Sequence, residues 1–354
     1  MNASVADRPL RWGFLSTARI GGKNWRAALA SGRNVVTAVA SRDRARAAAF
    51  IAEHQTAAPM PQTPHACGSY EELISRPDVD AVYLPLPTAL RGEWIVKAAQ
   101  AGKHVLCEKP CAVDATQLAA QIDACARHGV QFLDGVMFMH HPRLAVLRPL
   151  LSAGGPLGDL RRVQSHFSFA GAPDFATANI RAQAALEPAG CLGDLGWYNL
   201  RFTLWAFDWR LPACVTGLIH SAAADGTVPF EFSGELLYSS GVSAGFYCSF
   251  RSPAQQWAHC SGTQGSLRLD DFVHAKDPEA ARYLLDGREV VTPCAADGLP
   301  GAGHDARMFR NFAAQVASGT LNAEWPRWAL LTQRVMDACH RSALAGGAPV
   351  AVEA

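Results

Sequence analysis

The chain has 354 residues, which favours two domains, because a single hydrophobic core stops growing at about 250–300 residues. Hydrophobic residues make up 49% and charged residues 18%, and a net charge of +1 without a Lys/Arg cluster argues against a nucleic-acid-binding surface. No apolar run reaches the ~18 residues that cross a bilayer, and the N-terminal residues lack a signal-peptide pattern, so we expect a cytoplasmic protein without a membrane segment.

Ten cysteines are scattered along the chain, and none of them forms a C-x-x-C pair. Several lie in apolar, strand-like runs, as Cys107 and Cys248 do, so we interpret them as buried thiols rather than a disulfide framework. His104 lies near Cys107 and Cys111, but this spacing matches no zinc-binding pattern. We therefore interpret these three residues as part of a packed strand region, and we expect no metal site.

The first part of the chain alternates strand-like and helical patterns at the spacing of α/β proteins. The predicted strands cover residues 11–15, 34–40, 78–87, 104–110 and 130–136. The predicted helices cover residues 24–32, 42–55, 91–103 and 114–129, and Asp114 is the expected N-cap of the last one. Repeated βα units joined by short loops imply a parallel sheet with helices on both faces, which we assign to residues 1–137.

From residue 138 onward the pattern changes. A helix over residues 140–155 is followed by long alternating runs at 161–170, 213–221, 230–239, 242–250 and 257–270. Further helices are predicted at about residues 190–207, 304–319 and 326–345. Period-2 alternation joined by Gly-rich turns indicates a largely antiparallel sheet. Residues 138–354 are therefore predicted to form an α+β domain with a large, open, mostly antiparallel sheet.

The segment GFLSTARIGG, residues 13–22, connects the first predicted strand to the first helix. It lacks the G-x-G-x-x-G pattern of dinucleotide-binding turns, because Ser16, Ala18 and Gly21 stand at the three glycine positions. Ser and Ala allow close approach of a phosphate but adopt a positive φ less easily than Gly. A Rossmann fold binds pyrophosphate at this point of its first βα unit. The residues alone leave both a cofactor site and an ordinary turn open.

The end of the second predicted strand bears on the type of dinucleotide. An NAD-binding chain places Asp or Glu there for the ribose hydroxyls, whereas this chain has Ser41 followed by Arg42. A hydroxyl and a guanidinium suit a 2′-phosphate, and Arg46, one helical turn later, adds a further positive charge. The alternative is a solvated helix start with Asp43 beside it. The charges favour NADP over NAD.

Several longer motifs resemble one enzyme family in content and order. They are AGKHVLCEKP (101–110), DVDAVYLPLP (78–87), GDLGWY (193–198), GTQGSLRLDDFV (262–273) and WPRWALLTQRVMDACHRSA (325–343). Over nearly its whole length the chain resembles the Gfo/Idh/MocA oxidoreductases. It most resembles their NADP-dependent sugar and dihydrodiol dehydrogenases, because Tyr198 follows Asp194 by four residues where inositol-dehydrogenase-type members carry His. The implied architecture is an α/β fold with an N-terminal Rossmann dinucleotide-binding domain and a C-terminal α+β domain.

The resemblance implies roles for three catalytic residues. Lys109 would point into the active site, where its ammonium can bind the nicotinamide ribose and the reacting oxygen of the substrate. Tyr198 would be the general acid/base, with a nearby Lys109 lowering the pKa of its phenol. Asp194 would orient the substrate or Lys109, and its alternative role is a helix-start carboxylate. Arg181 matches a family position that contacts cofactor or substrate.

The expected cofactor-binding set combines the turn, the strand ends and the resemblance. It consists of Ser16, Thr17, Ala18, Arg19, Ile20, Ser41, Arg42, Arg46, Leu84, Pro85, Leu86, Pro87, Thr88, Arg91, Glu108, Lys109 and Arg181. The chain departs from the family at PTALR, where members often read P-N-x-x-H. Thr88 can still form hydrogen bonds there, but Arg91 adds a fixed positive charge.

The function implied is an NADP(H)-dependent oxidoreductase that interconverts CH–OH and C=O groups of a sugar, cyclic polyol or dihydrodiol. A catalytically idle NADP(H)-binding sensor and an enzyme with tightly bound, recycled NADP are the alternatives. Because an exposed sheet face is a poor surface for a monomer, we also expect a homodimer or homotetramer built through the C-terminal sheet.

Overall fold

A buried parallel sheet forms the centre of the first of two units in the structure, a computed structural model that describes residues 8–224 and 226–353. Residues 8–112, 116–140 and 301–329 make up this first unit. Residues 113–115, 141–300 and 330–353, without residue 225, make up the second. The predicted boundary after residue 137 lies close to the division between His140 and His141.

The strands of the two units follow one another along the chain. They are β1 (Leu10–Leu15), β2 (Asn34–Ala40), β3 (His65–Cys67), β4 (Ala81–Leu84), β5 (His104–Cys107), β6 (Phe132–Asp134), β7 (Leu160–Ser168), β8 (Cys214–Ala222), β9 (Pro229–Leu237), β10 (Ser243–Ser249), β11 (Gln255–Gly262), β12 (Ser266–Leu269), β13 (Ala280–Leu285), β14 (Arg288–Pro293) and β15 (Val350–Ala351).

The α-helices differ widely in length, from four residues in α7 to 21 in α10. In chain order they are α1 (Arg19–Ala30), α2 (Arg44–Ala57), α3 (Tyr70–Ile74), α4 (Thr88–Gln100), α5 (Ala115–Arg127), α6 (Arg143–Leu151), α7 (Phe175–Ala178), α8 (Trp197–Ala206), α9 (His304–Ala317) and α10 (Glu324–Leu344). Short 3₁₀ turns cover Met137–His140 and Ile180–Ala182, and a π-helical turn, Leu192–Gly196, precedes α8.

The sheet of the first unit has the order β3-β2-β1-β4-β5-β6, and all neighbouring strands are parallel. Strand β4 is buried along its whole length, as expected where helices cover both faces of a parallel sheet. The strand order reverses between β1 and β4, so the carboxyl ends of these two strands form the crevice in which Rossmann folds bind dinucleotides. The predicted Rossmann domain is confirmed.

Helix α9 completes this first unit from the far end of the chain. The ring of Trp12 in β1 lies 4.9 Å from the ring centroid of Phe309 and 5.1 Å from that of Phe312, both in α9. Trp12 is fully buried by these contacts. Residues 301–329, which the sequence assigns to the second domain, therefore pack in the first unit.

The second unit is built on a nine-stranded sheet of order β14-β13-β12-β11-β7-β10-β9-β8-β15. Only the β7–β10 pair is parallel, so the expected large, mostly antiparallel sheet is confirmed. Helices α8 and α10 cover one face, where Asn199 donates to Ser165 (2.9 Å) and the Ser342 hydroxyl accepts from Gly217 N (2.9 Å). The opposite face carries partly exposed side chains such as His166 and Trp257.

Eight of the ten cysteines are buried, and all ten are free thiols, in agreement with the interpretation from sequence. Cys214 and Cys294 are partly exposed. Within residues 8–224 and 226–353 no helix combines the length and apolar character that crossing a membrane requires. The predicted cytoplasmic location stays a prediction.

Candidate active site

The turn between β1 and α1 has the backbone conformation of a glycine-containing turn although its first residue is serine. Ser16 has a φ of +133°, a region that favours glycine. Its hydroxyl accepts a hydrogen bond from Ala18 N (3.2 Å) and donates one to the carbonyl oxygen of Pro85 (3.4 Å), which follows β4. These contacts join the two sides of the crevice between β1 and β4.

The N-terminus of α1 opens onto the same crevice. Ala18 is the N-cap residue and supplies no side-chain acceptor to the first-turn N–H groups, and the first turn contains no acidic residue. Gly21 N donates to the backbone carbonyl oxygen of Ala18 (2.8 Å). The positive end of the helix dipole at this N-terminus favours an anion such as a pyrophosphate. Thr17 and Ala18 are partly exposed, and Arg19 and Ile20 are exposed at the start of the helix.

The end of β2 brings a hydroxyl and two arginines together without a carboxylate on the strand. Ser41 is buried, pairs through its backbone N–H with Cys67 O (3.2 Å) and accepts from Asp43 N through its hydroxyl (3.3 Å). Asp43 is the N-cap of α2, because its side chain accepts from Ala45 N at 2.9 Å. Arg42 and Arg46 are exposed beside it.

Sequence patterns miss two residues near this end of β2. Burial raises the pKa of Tyr70 above its usual value, while the charges of Arg42 and Arg46 act in the opposite direction. Arg44, between the two predicted arginines in the chain, donates to the carboxylate of Glu72 (2.8 Å). The one sequence signal for Tyr70 is its position shortly after β3, and this strand is too short to be predicted from the sequence.

The loop after β4 contains the predicted segment from Leu84 to Pro87, and Pro87 is the residue before α4. Thr88 and Arg91 are both buried. The Arg91 guanidinium donates to Leu86 O (2.7 Å), to the Thr88 hydroxyl (3.2 Å) and to the carbonyl oxygen of Pro110. Arg91 therefore ties the loop after β4 to the loop after β5. A direct cofactor contact for Thr88 and Arg91 stays a prediction.

The Glu-Lys-Pro element follows β5 directly, at the carboxyl edge of the sheet and one strand away from β4. Lys109 is partly exposed, and the Lys109–Pro110 peptide bond is cis. Glu108 points toward the interior of the unit, where it accepts from the hydroxyl of Tyr83 at 2.6 Å and from Asn24 Nδ2 at 3.4 Å. Sequence reasoning misses Tyr83 and Asn24, because they belong to patterns that predict only a buried strand and a helix.

In the second unit, an ion pair joins two of the predicted residues. Arg181 Nε lies 2.7 Å from Asp194 Oδ2. Arg181 belongs to the 3₁₀ turn Ile180–Ala182, and the side chain of Asn179 stabilises that turn by accepting from Arg181 N (3.0 Å). The carboxylate of Asp194 is thus oriented by a partner that precedes it by 13 positions in the chain.

Tyr198 lies in the first turn of α8, directly after the π-helical turn that contains Asp194. The predicted helix is therefore present, but Asp194 and Tyr198 are separated by wider π-type winding, a feature that is frequent at functional sites. Tyr198 is only 7% exposed, and its ring packs edge-to-face on Phe167 with centroids 5.6 Å apart. Asp194 and Tyr198 thus lie on adjacent turns of one unit, and Arg181 is joined to them through its ion pair with Asp194.

Family models match both halves of the chain. Residues 10–135 match the model described as "Oxidoreductase family, NAD-binding Rossmann fold", and residues 149–268 match the model of the GFO/IDH/MocA C-terminal domain. The chain belongs to the Gfo/Idh/MocA oxidoreductase family. The predicted family, its fold and its classification as an oxidoreductase are confirmed.

Curated relatives within the Gfo/Idh/MocA family extend this match to nearly full length. The chain is 34% identical to D-xylose 1-dehydrogenase (NADP(+)) 2 of Haloferax volcanii, over 96% of this chain and 99% of that protein. It is 32% identical to the trans-1,2-dihydrobenzene-1,2-diol dehydrogenase of Bos taurus, over 74% of both chains. Among solved structures, a 3-ketoreductase from Actinomadura kijaniata in complex with NADP and TDP-benzene superposes with a TM-score of 0.82 at 25% identity. That match covers 95% of this chain and 98% of the reductase.

Proposed function

We propose that this protein is an NADP(H)-dependent oxidoreductase that interconverts a secondary alcohol and a carbonyl group of a sugar, cyclic polyol or dihydrodiol. The proposal rests on one observation: a glycine-like turn, an uncapped helix N-terminus and the Glu-Lys-Pro loop share the carboxyl edge of a Rossmann sheet. The relatives named as NADP-dependent dehydrogenases, dihydrodiol dehydrogenases and reductases support the same substrate classes.

The residues present fit NADP better than NAD. The first-turn N–H groups of α1 can bind the pyrophosphate, and Ser41, Arg42 and Arg46 can bind a 2′-phosphate. The next carboxylate along the chain, Asp43, is engaged in capping α2 through Ala45 N. No Asp or Glu stands at the end of β2, where one would repel a 2′-phosphate.

Bound NADP(H) supplies the two-electron redox chemistry. In the oxidation direction, Tyr198 accepts the proton of the substrate hydroxyl, and in reduction it returns that proton to the carbonyl oxygen. Lys109 stabilises the negative charge that develops on the same oxygen. Asp194, oriented by its ion pair with Arg181, binds a substrate hydroxyl. The apolar contact between Tyr198 and Phe167 holds the phenol in one orientation.

The test is NADPH oxidation with a panel of ketoses, aldoses and diketones, with NADH in parallel. We expect Tyr198→Phe to lower kcat by about 100-fold or more, because general acid–base catalysis contributes on the order of 10²–10⁴. The dissociation constant for NADPH, measured by fluorescence, is expected to stay unchanged. Tyr238→Phe, which also removes a buried hydroxyl in the second unit, is the matched control and should retain full activity.

Three results would contradict this assignment in different ways. A Tyr198→Phe variant as active as the wild type would remove the proposed role of Tyr198. NADPH binding without turnover of any carbonyl compound would favour the sensor function. A cofactor that remains bound through gel filtration would favour the enzyme with recycled NADP.

A further inference from the structure

A chain of three polar side chains runs through the interior of the first unit and ends next to Lys109. Asn24 in α1 donates through Nδ2 to the Tyr83 hydroxyl, and Tyr83 in β4 donates to Glu108 Oε1 at 2.6 Å. Asn24 Nδ2 also lies 3.4 Å from the same Glu108 oxygen. Asn24 is 2% exposed and Tyr83 is 0% exposed, so both donors are shielded from water, while Glu108 is partly exposed.

The orientation of the Glu108 side chain bears on the active site because Glu108 lies next to Lys109 in the chain. It is the first residue after β5 and directly precedes Lys109, and its backbone N–H donates to Leu84 O at 3.3 Å. Only Oε1 of its carboxylate receives hydrogen bonds from the residues that the structure describes. Gly135, the residue after β6, borders the other oxygen, since a Cβ at this position would lie 3.2 Å from Oε2.

Ring packing alone does not explain these polar groups. The Tyr83 ring already packs on Phe14 and Phe309, with centroids 5.0 and 6.2 Å apart, and a phenylalanine would keep both contacts. Burial and the Glu108 charge raise the pKa of Tyr83 well above its usual value, so its hydroxyl stays a donor at every working pH. Asn24 Oδ1 is buried without a partner among the described residues, which costs stability. The polar groups of Tyr83 and Asn24 therefore add hydrogen bonds to Glu108 that ring packing does not require.

We propose that Tyr83 and Asn24 are positioning residues for Glu108: they hold one carboxylate oxygen inside the unit so that the other is presented to a hydroxyl or amide donor of the nicotinamide riboside. This inference rests on the proposed function. Without the internal donors, the Glu108 side chain would sample other rotamers, and the loop that carries Lys109 would lose an anchor on its strand side. The polar chain thus acts on the cofactor only through Glu108.

The test is a double-mutant cycle read by NADPH affinity and not by activity alone. Fluorescence titration gives the NADPH dissociation constant for the wild type, Tyr83→Phe, Glu108→Ala and the double variant. When Glu108 is present, we expect Tyr83→Phe to weaken NADPH binding about tenfold, because the substitution removes a hydrogen bond to a charged group. In the Glu108→Ala background the same substitution should change the constant less than about twofold, because the Tyr83 hydroxyl then has no carboxylate to orient.

Controls separate positioning from a loss of folding. Tyr238→Phe removes a buried hydroxyl that has no hydrogen-bond partner among the described residues, so it should leave the NADPH constant unchanged. Thermal unfolding followed by circular dichroism shows whether each variant is folded. If Tyr83→Phe does not fold, Asn24→Ala replaces it in the cycle, with an expected weakening of about threefold.

Two outcomes would overturn the inference, and they differ from failure of the proposed function. Folded Tyr83→Phe that binds NADPH like the wild type would show that the hydroxyl has no role in positioning. An equal loss in the presence and absence of Glu108 would show a structural effect that does not pass through this carboxylate. A wild-type protein that does not bind NADPH would instead remove the proposed function itself.

Discussion

Ser16 combines a backbone conformation that favours glycine with a side chain that glycine cannot supply. Its φ of +133° costs about 1–3 kcal/mol for a residue with a Cβ. Its hydroxyl offsets part of this cost through hydrogen bonds with Ala18 N and Pro85 O. The serine therefore serves as a substitute for the first glycine of a dinucleotide-binding turn, and it also connects β1 to the loop after β4.

Substitutions at this position separate the two effects. We expect Ser16→Gly to keep the free energy of unfolding within about 1 kcal/mol of the wild type, because relief of strain offsets the lost hydrogen bonds and the added chain entropy. Ser16→Ala keeps the strain and loses both hydrogen bonds, so it should be destabilised by about 1–2 kcal/mol. Urea unfolding measures both variants. An alanine variant as stable as the glycine variant would contradict a role for the hydroxyl.

Asp337 links two helices through the N-terminus of α5. Its carboxylate accepts from Ala115 N, the first residue of α5, at 2.7 Å and from Gln333 Nε2 at 2.8 Å. Desolvation by burial raises the pKa of Asp337 from 3.8 to about 6. The folded state therefore binds this proton more tightly than the unfolded state does. The resulting stabilisation is fully present below pH 3.8 and is lost as the pH rises through about 6.

We expect Asp337→Asn to raise the free energy of unfolding at pH 7 by about 1–2 kcal/mol. The amide oxygen still accepts from Ala115 N, and the amide nitrogen can donate to Gln333 Oε1, which is buried without a partner among the described residues. Urea unfolding between pH 4 and pH 7 should show a smaller decline in stability for the variant than for the wild type. Asp123→Asn, at an exposed position of α5, is the control. Identical pH profiles for the wild type and Asp337→Asn would contradict the assignment.

Short elements account for most of what sequence patterns miss. Strand β3 has three residues at the edge of its sheet, and α3 has five, so neither is long enough to show a period. The hairpin β13–β14 is different, because its turn carries a readable Asp-Gly signal. Asp286 and Gly287 have φ values of +49° and +78°, the conformation that two-residue hairpin turns require. That hairpin was predictable from the sequence.

The open face of the nine-stranded sheet carries a row of partly exposed rings. His166 in β7 lies between Tyr247 in β10 and Trp257 in β11, at centroid distances of 5.0 and 5.6 Å. The Tyr247 hydroxyl donates to Glu231 at 2.7 Å, so the row is polar at one side. Exposed aromatic rings are enriched in protein–protein interfaces. The homodimer or homotetramer predicted from the sequence would form through this face.

Sedimentation velocity at micromolar concentration tests the assembly. We expect a dimer or tetramer for the wild type, and a shift toward the monomer for Trp257→Glu, because a buried unpaired carboxylate at the interface is costly. Leu344→Glu, at a 71% exposed position of α10, should leave the assembly unchanged. A monomeric wild type would contradict the proposed interface.

The Rossmann unit, the strand that precedes Lys109 and the helix that contains Tyr198 can be predicted from the sequence, because they depend on local patterns. Alternating strands and helices, a strand-to-helix turn and short motifs each lie within a few residues of the chain. The pairing of Arg181 with Asp194, the engagement of Arg91 with Pro110 and the contact of Tyr83 with Glu108 are different. Each joins groups that are brought together only when separate elements pack. The same holds for the contact of α9 with Trp12. The apolar face of α9 indicates that the helix packs on a core, but only the tertiary structure decides which of the two sheets it packs on.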